Sequence, residues 1–173
     1  DPYLTGVSSG AGLAVAAAMI IGIDFSFLPL VALVGGMVSS LIVAVLAKTP
    51  TGLSIHRLLL SGVALSAVCG GGTTILICSA GGSVRAQGIY YWLAGSVSGK
   101  GWSELLPAAA YAAVGLCFAL AMSKPLRLLS VGQVSAAALG LHVDRTRTLV
   151  LAAAVLLCGA AVSLSGLVGF VGM

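Results

Sequence analysis

Charged residues are scarce in this 173-residue chain, which has eight Lys and Arg and four Asp and Glu. Charge makes up 7% of the sequence, far below the roughly 25% of a soluble domain, whereas apolar residues reach 60%. So few charges cannot cover the surface of a water-soluble globule, and most of the exterior must therefore meet lipid. The scarcity of charge excludes an ordinary soluble domain and indicates an integral membrane protein. Strict period-two alternation of apolar residues is absent, which favours an all-α protein.

Groups that carry chemistry are also few. The four cysteines lie in apolar runs without a C-x-x-C pair, which is typical of small buried hydrophobes. The segment G-V-S-S-G at 6–10 matches a serine nucleophile elbow, but the residues after it continue as an apolar span, and His56 and His142 fall in polar connections. The segment G-G-G-T-T at 70–74 lacks the Lys of a phosphate loop. We therefore expect a chain that is not an enzyme.

Partners and ligands of other classes are disfavoured in the same way. The basic residues are dispersed and form no aromatic-interleaved patch, so no nucleic-acid partner is expected. The two histidines are too far apart in the sequence to argue a metal site. No carboxylate lies deep in a predicted span, as a proton- or sodium-coupled carrier would require. A secondary transporter or an intramembrane enzyme is thus kept only as the rival class.

Charge-free intervals predict five membrane crossings within a single transmembrane domain. Each interval is near or above the roughly 17–25 residues that cross about 30 Å of hydrocarbon. The expected spans are 7–23, 28–47, 58–80, 105–123 and 148–168. Two further intervals, 86–99 and 128–141, have 14 residues each and predict re-entrant or interfacial helices. Because the chain 1–173 opens on Asp and closes within an apolar run, we expect it to be part of a longer protein.

Lys and Arg set the expected orientation of these spans. The connections 48–57 and 124–147 carry six of the eight basic residues, whereas 24–28 and 85–104 carry two. The positive-inside rule then places 48–57 and 124–147 in the cytoplasm. The first and last spans would both run outward.

Small residues recur four positions apart in three of the spans. They are Gly6/Gly10, Gly36/Ser40 and Gly62/Ser66/Gly70. Each strip allows a neighbouring backbone to approach closely. In the third span the strip continues into the glycine triplet 70–72, which we expect to loosen the helix or to open a polar seam. We predict that this span lines a substrate pathway together with 86–99. The predicted pathway residues are Gly62, Ser66, Gly70, Thr73 and Thr74.

The connection 124–147 contains a predicted short helix. Ser130 is typical of an N-cap and Gly140 of a helix stop, which predicts about two helical turns between them. A helix this short is not stable alone in water, so we expect a partner surface to hold it. A linker that lies on lipid headgroups is the alternative. The candidate docking residues are Ser130, Gly132, Gln133, Ser135, Ala136, Ala137, Leu139 and Gly140.

Four motifs resemble the permease subunits of ABC importers for iron–siderophores, haem and cobalamin. They are D-P-Y-L-T-G-V-S-S-G-A at 1–11, R-L-L-L-S-G-V-A-L-S at 57–66, Y-W-L-A-G-S at 91–96 and G-L-V-G-F-V-G at 166–172. The resemblance implies the middle portion of a permease of about ten spans in the bacterial cytoplasmic (inner) membrane. It also implies ATP-driven import of an iron chelate, either a siderophore complex or haem, with cobalamin as the alternative.

The same resemblance implies the partners. They are a second permease chain in a homodimer or heterodimer, two ATP-binding cassette subunits and an extracytoplasmic substrate-binding protein. ATP and Mg²⁺ would bind to the ATPase subunits, and this chain would bind no cofactor. Segment 130–141 would be the surface that couples to the ATPase, with Gln133 in place of a Glu that is common in the family.

Overall fold

The computed structural model describes residues 6–49, 52–81, 84–96, 101–130 and 132–167. Helices dominate this part of the chain, which confirms the predicted all-α class. The helices are α1 (Val7–Ile21), α2 (Leu28–Leu46), α3 (Ile55–Ser79), α4 (Val84–Ala94), α5 (Trp102–Ala121), α6 (Ser123–Ser130), α7 (Gln133–Ala138) and α8 (Val143–Ser165). A 3-10 turn at Phe25–Phe27 precedes α2, and β1 (Lys48–Thr49) pairs antiparallel with β2 (Gly52–Leu53) before α3.

Each predicted span overlaps one long helix, although the helices differ in length. Among the described residues, three helical segments are long and apolar enough to cross a membrane, namely Phe25–Leu46, His56–Ser79 and Arg145–Ser165. A fourth arises if α5 and α6, bent by 50° at their junction, count as one span. Helix α1 has 15 residues, or about 22 Å at roughly 1.5 Å per residue, and is shorter than the hydrocarbon layer. Its crossing of the membrane stays a prediction.

Helix α1 lies at the centre of the bundle and contacts α2, α3, α4 and α8. Its inward positions are small, and Ala11, Val15 and Ala16 are fully buried. Ile89 of α4 and Val162 of α8 pack into the same core. Because lipid provides no hydrophobic force between helices, close contact of such small residues has to hold the helices together.

Glycines let α1 and α2 cross backbone against backbone. A Cβ atom added to Gly10 would lie 2.9 Å from the carbonyl oxygen of Gly35. A Cβ atom added to Gly36 would lie 3.1 Å from the carbonyl oxygen of Val7. Real Cβ atoms essentially never come as close as the first distance and rarely as close as the second, so larger residues would push the two helices apart. The close approach predicted for the glycine strips of α1 and α2 is confirmed.

The segments that connect the helices lie at two different ends of the bundle. One cavity is lined by residues from the start of α3, from α6 and from the start of α8. At the other end, the backbone N–H of Ser96 donates to the carbonyl of Ser165 at 2.9 Å, which joins the segment after α4 to the end of α8. The two basic connections, 48–57 and 124–147, therefore share one end, as their charge predicts. Which end faces the cytoplasm stays a prediction.

The prediction that Ser130 caps the short helix is wrong. Ser130 is the last residue of α6, and its hydroxyl donates to the carbonyl of Arg127 at 2.8 Å. The short helix α7 begins only at Gln133, after Gly132 at a φ of +120°. A serine hydroxyl that is already bonded to its own helix ends that helix and is not available to cap the next one.

Of the two effects expected of the glycine triplet, loosening does not occur, because α3 is continuous from Ile55 to Ser79, whereas Gly70, Thr73 and Thr74 do lie along a cleft. Each glycine weakens a helix by only about 0.5–1 kcal/mol relative to Ala. An unsatisfied backbone group in lipid costs several kcal/mol, so the membrane favours the intact helix. Residues 97–99, 131 and 168 of the predicted helices lie outside the described residues.

Candidate transport cleft and coupling surface

A cleft of about 430 Å³ opens between α1, α3 and α4. Its α3 wall consists of Ser66, Gly70, Thr73, Thr74 and Ile77. These residues share one helix face because they are spaced by three and four positions. The structure therefore brings four of the five predicted pathway residues together.

Gly62, the fifth predicted pathway residue, is buried and lies outside the cleft lining, one turn before Ser66. The predicted contribution of 86–99 comes from α4, which places Tyr90 and Leu93 in the lining. Ser9 and Gly12 of α1 and Leu167 complete the lining. None of these three was predicted, because no periodicity within α1 indicates that it packs against α3.

The threonine hydroxyls of the cleft are bonded within their own helix. Thr73 donates from Oγ1 to the carbonyl of Cys69 at 2.8 Å, and Thr74 donates to the carbonyl of Gly70 at 3.0 Å. The hydroxyl protons are thus used inside α3, and the cleft meets oxygen lone pairs and methyl groups. The two threonine hydroxyls therefore need no hydrogen-bond acceptor from a passing ligand.

A pair of serines ties α1 to α3 beside the cleft. The Oγ atoms of Ser9 and Ser66 lie 3.0 Å apart, and either can donate. Six residues further along α3, a Cβ atom on Gly72 would lie 3.0 Å from the Cδ1 atom of Leu13. In contrast, a Cβ atom on Gly70 would meet no atom within 4 Å. Helix α3 therefore packs on α1 along one edge and leaves the edge at Gly70 open.

The described lining of the cleft contains no charged side chain. Across the described residues, no three His, Cys, Asp or Glu side chains lie close enough to hold a metal ion. Ser8, at the nucleophile position of the elbow-like motif, is 2% exposed within α1. Residues 1–5, where the strand of such an elbow would have to precede α1, lie outside the described residues.

Helix α7 ends at Ala138 and is followed by the predicted stop at Gly140, whose φ is +84°. The N–H of Gly140 donates to the carbonyl of Ala137 at 3.0 Å, and the N–H of Leu141 donates to that of Ala136 at 3.0 Å. These two bonds form a Schellman motif, which needs a left-handed residue and so favours glycine. The glycine stop predicted from the sequence is confirmed.

The short helix is anchored on one side and open on the other. Ala136 is fully buried, whereas Ala137 and Ala138 are exposed. Leu139 is 68% exposed and follows directly. Of the predicted docking residues, Gln133 and Ser135 belong to α7, but their side chains lie outside the described atoms. The exposed surface described for α7 is thus small and apolar, and the larger side chain of Leu139 follows it.

Comparison with known proteins gives matches over the whole chain. The FecCD transport family matches residues 1–173. The cobalamin import system permease protein BtuC of Halobacterium salinarum is 35% identical over 179 residues, which cover 100% of this chain and 47% of the relative. The hemin transport system permease protein HmuU of Yersinia pestis is 34% identical over 181 residues, which cover 100% of this chain and 53% of the relative. The chain spans about half the length of the curated relatives it matches.

A solved structure matches the fold. It shows an inward-facing conformation of a protein assigned to the metal-chelate type of ABC transporter, with a TM-score of 0.91 and 26% sequence identity. The match covers 99% of this chain and 55% of that chain. Together with the apolar helices, these likenesses place the chain in the cytoplasmic (inner) membrane as a multi-pass protein.

Proposed function

Because the chain belongs to the FecCD transport family, we propose that the complete protein is the permease subunit of an ATP-driven importer of an iron chelate. The chelate would be a siderophore complex or haem. The observation that carries the proposal is the cleft between α1, α3 and α4, within a fold that matches an ABC transporter over 99% of the chain.

The walls of the cleft suit a large ligand. The edge at Gly70 is flat and open, and the hydroxyls of Thr73 and Thr74 are bonded within their own helix. A ligand that carries its own metal-binding groups needs no ring of charges or carbonyls to replace a hydration shell, as a bare ion does. Such a ligand passes a smooth neutral wall without being trapped on it.

The surfaces that this chain leaves uncovered support the proposed partners. Only 11% of the most apolar part of His56–Ser79 is buried within the chain. A second permease chain, in a homodimer or a heterodimer, would face this helix across the pathway. An extracytoplasmic binding protein would deliver the chelate at the end that holds α4.

Helix α7 is the proposed docking point for the ATPase subunit. It lies at the basic end of the bundle and presents Ala137, Ala138 and Leu139 to solvent. A six-residue helix gains little from its own hydrogen bonds, so a partner that holds it also gains control over its position. Two ATPase subunits would bind ATP and Mg²⁺, and this chain would bind no cofactor and perform no covalent chemistry.

Cobalamin is the second candidate substrate. One relative is named for cobalamin import and another for hemin transport, so both ligands occur among permeases of this family. Both are large metal chelates with an organic ligand shell, and the neutral cleft suits either.

Transport by the complete importer tests the proposal. The full-length permease, its ATPase subunit and its binding protein would be reconstituted in liposomes, with a labelled ferric siderophore, haem or cobalamin outside. We expect ATP-dependent accumulation of an iron chelate and none without ATP. Accumulation of cobalamin alone would favour the second candidate, and no ATP-dependent uptake of any chelate would contradict an importer.

A further inference from the structure

We propose that a groove at the basic end of the bundle, between α3, α6 and α8, binds an anionic phospholipid of the cytoplasmic leaflet. One acyl chain would lie in the groove, and the phosphate would lie at Arg147. This groove is separate from the transport cleft, and the proposal does not depend on which chelate is carried.

The α8 wall of the groove combines one charge with an apolar stripe. Arg147, Val150, Leu151 and Ala154 line it and follow one another at spacings of three and four residues along one helix face. From Arg147 to Ala154 the helix rises by about 10 Å at roughly 1.5 Å per residue. The groove thus runs from a cationic rim along apolar side chains to the middle of α8, as a phospholipid runs from headgroup to tail.

Helix α6 supplies the opposite wall. Leu126 and Leu129 line the groove, and Leu58 at the start of α3 closes it. On α6, Lys124 and Arg127 are exposed, so this helix has an apolar side and a basic side. An amphipathic helix of this kind is typical of segments that lie in the plane of the membrane surface.

The groove has the size of a ligand site. Its volume is about 330 Å³, at the lower end of the roughly 300–1,000 Å³ of small-molecule sites. Its lining is apolar apart from Arg147 and Ser54. The shape therefore accepts a chain of methylene groups with a single anionic end.

Charge complementarity identifies the headgroup as anionic. The connections 48–57 and 124–147 carry six basic residues and one acidic residue, Asp144. Basic pockets between membrane helices on the cytoplasmic side attract anionic headgroups, and each basic residue near such a surface contributes about 1 kcal/mol. A soluble ATPase subunit would meet the rim of the groove but would not enter its apolar depth.

The proposal divides the connection 124–147 into two parts. Helix α6 would rest on lipid, and α7 would be free to dock on a protein partner. The division lies between Ser130, where α6 ends, and Gly132, whose φ of +120° turns the chain. The headgroup linker and the docking helix, which the sequence left as alternatives for 124–147, would then both be present in succession.

Lipid titration of the full-length permease tests the site. Native mass spectrometry in detergent would follow binding of dioleoylphosphatidylglycerol and of dioleoylphosphatidylcholine, which share acyl chains and differ in headgroup charge. We expect preferential binding of the anionic lipid. Arg147→Gln should lower its affinity about fivefold, which corresponds to about 1 kcal/mol. Glycerol phosphate, which has the phosphate without the chains, should not compete.

Matched variants separate a site from general attraction to the basic end. Arg145→Gln removes the same charge from an exposed position of α8 outside the groove and should leave the affinity nearly unchanged. Ala154→Phe would fill the groove and abolish preferential binding, whereas Ala152→Phe, on another face of α8, would not. Equal binding of the two lipids, equal losses in Arg145→Gln and Arg147→Gln, or unchanged binding in Ala154→Phe would each overturn the proposal. If Arg147→Gln fails to fold, the comparison of Ala154→Phe with Ala152→Phe and the comparison of the two lipids still test the proposal.

Discussion

Glycine acts in two different ways at the scale of single residues. In α1 and α2, Gly10 and Gly35 are close-packing residues, because a Cβ atom on either would collide with the facing helix. In α3, Gly70 and Gly71 are open residues, because a Cβ atom on either would meet nothing within 4 Å. Glycine thus allows α1 and α2 to pack closely, and on α3 it leaves part of the helix surface free of side chains.

The open glycines allow a test of the pathway by adding bulk without a clash. Gly70→Trp would project an indole ring into the cleft, and we expect it to reduce ATP-dependent uptake to background. Replacing Gly also removes a helix-weakening residue of about 1 kcal/mol, so a loss of uptake would not come from a broken helix. The measurement is chelate accumulation in proteoliposomes at matched permease content.

The neighbouring glycine is the control for that substitution. Gly71 is equally open but lies outside the cleft lining, so Gly71→Trp should retain most of the uptake. Normal uptake by Gly70→Trp would move the pathway away from this face of α3. Equal losses in both variants would mean that another segment covers the whole exposed side of α3.

Residue spacing made part of the cleft predictable. Ser66, Gly70, Thr73 and Thr74 share one face of α3 because spacings of three and four residues connect them, whatever packs against that face. Ser9 was missed, although its hydroxyl lies 3.0 Å from that of Ser66, because 57 positions separate the two residues. A contact between residues so far apart in the sequence depends on where and at what angle α1 and α3 cross. The spacing of residues within either helix does not indicate this crossing.

At the scale of elements, the break between α5 and α6 has a local cause. Pro125 lies in the first turn of α6 and has no N–H to donate to the carbonyl of Ala121. In an uninterrupted helix its ring would also collide with that carbonyl, and the two helices are instead bent by 50°. The bend directs α6 away from the axis of α5. Leu126 and Leu129 thereby line the groove between α3, α6 and α8.

The sequence determines the C-terminal end of the short helix α7 better than its N-terminal end. Gly140 was predictable, since a positive φ at a helix stop strongly favours glycine. Ser130 was misread, since a serine favours the N-cap and equally bonds back to the carbonyl three residues earlier, as it does here. The choice between these two bonds depends on where α6 ends, and the residue type of Ser130 does not determine that position.

The left-handed turn at Gly140 provides a test of coupling through α7. Gly140→Val should destabilise the turn by about 1–2 kcal/mol and disturb the exposed surface at Leu139. We expect ATP hydrolysis by the complete importer to continue while chelate uptake per ATP falls. The measurement is the ratio of uptake to phosphate release in the same vesicles.

Gly140→Asn is the matched control, because Asn tolerates a left-handed conformation much better than Val. It should retain a ratio close to that of the parent protein. If Gly140→Val keeps both the ATPase subunit and the parent ratio, α7 does not couple the two reactions, and the docking surface lies elsewhere.

At the scale of the whole molecule, the distribution of exposed side chains agrees with a membrane environment. Helix α2 buries the face that holds Gly36 and Ser40 and exposes large apolar residues on the other side. They include Leu30, Val34, Met37, Val38, Leu41 and Val45. Soluble proteins rarely expose an apolar stripe of this extent, so lipid or another protein surface has to cover it.

The separation of the connections into two ends leads to a test of orientation. Six of the eight basic residues lie at the end that holds 48–57 and 124–147, so this end should face the cytoplasm. In a cysteine-free full-length protein, Val84→Cys and His142→Cys would each provide one exposed thiol, at the start of α4 and just before α8. Neither change alters a Lys or Arg, so the determinants of orientation stay intact. A membrane-impermeant maleimide should modify position 84 in intact cells and position 142 only after permeabilisation, whereas labelling of position 142 in intact cells would reverse the assignment of both ends.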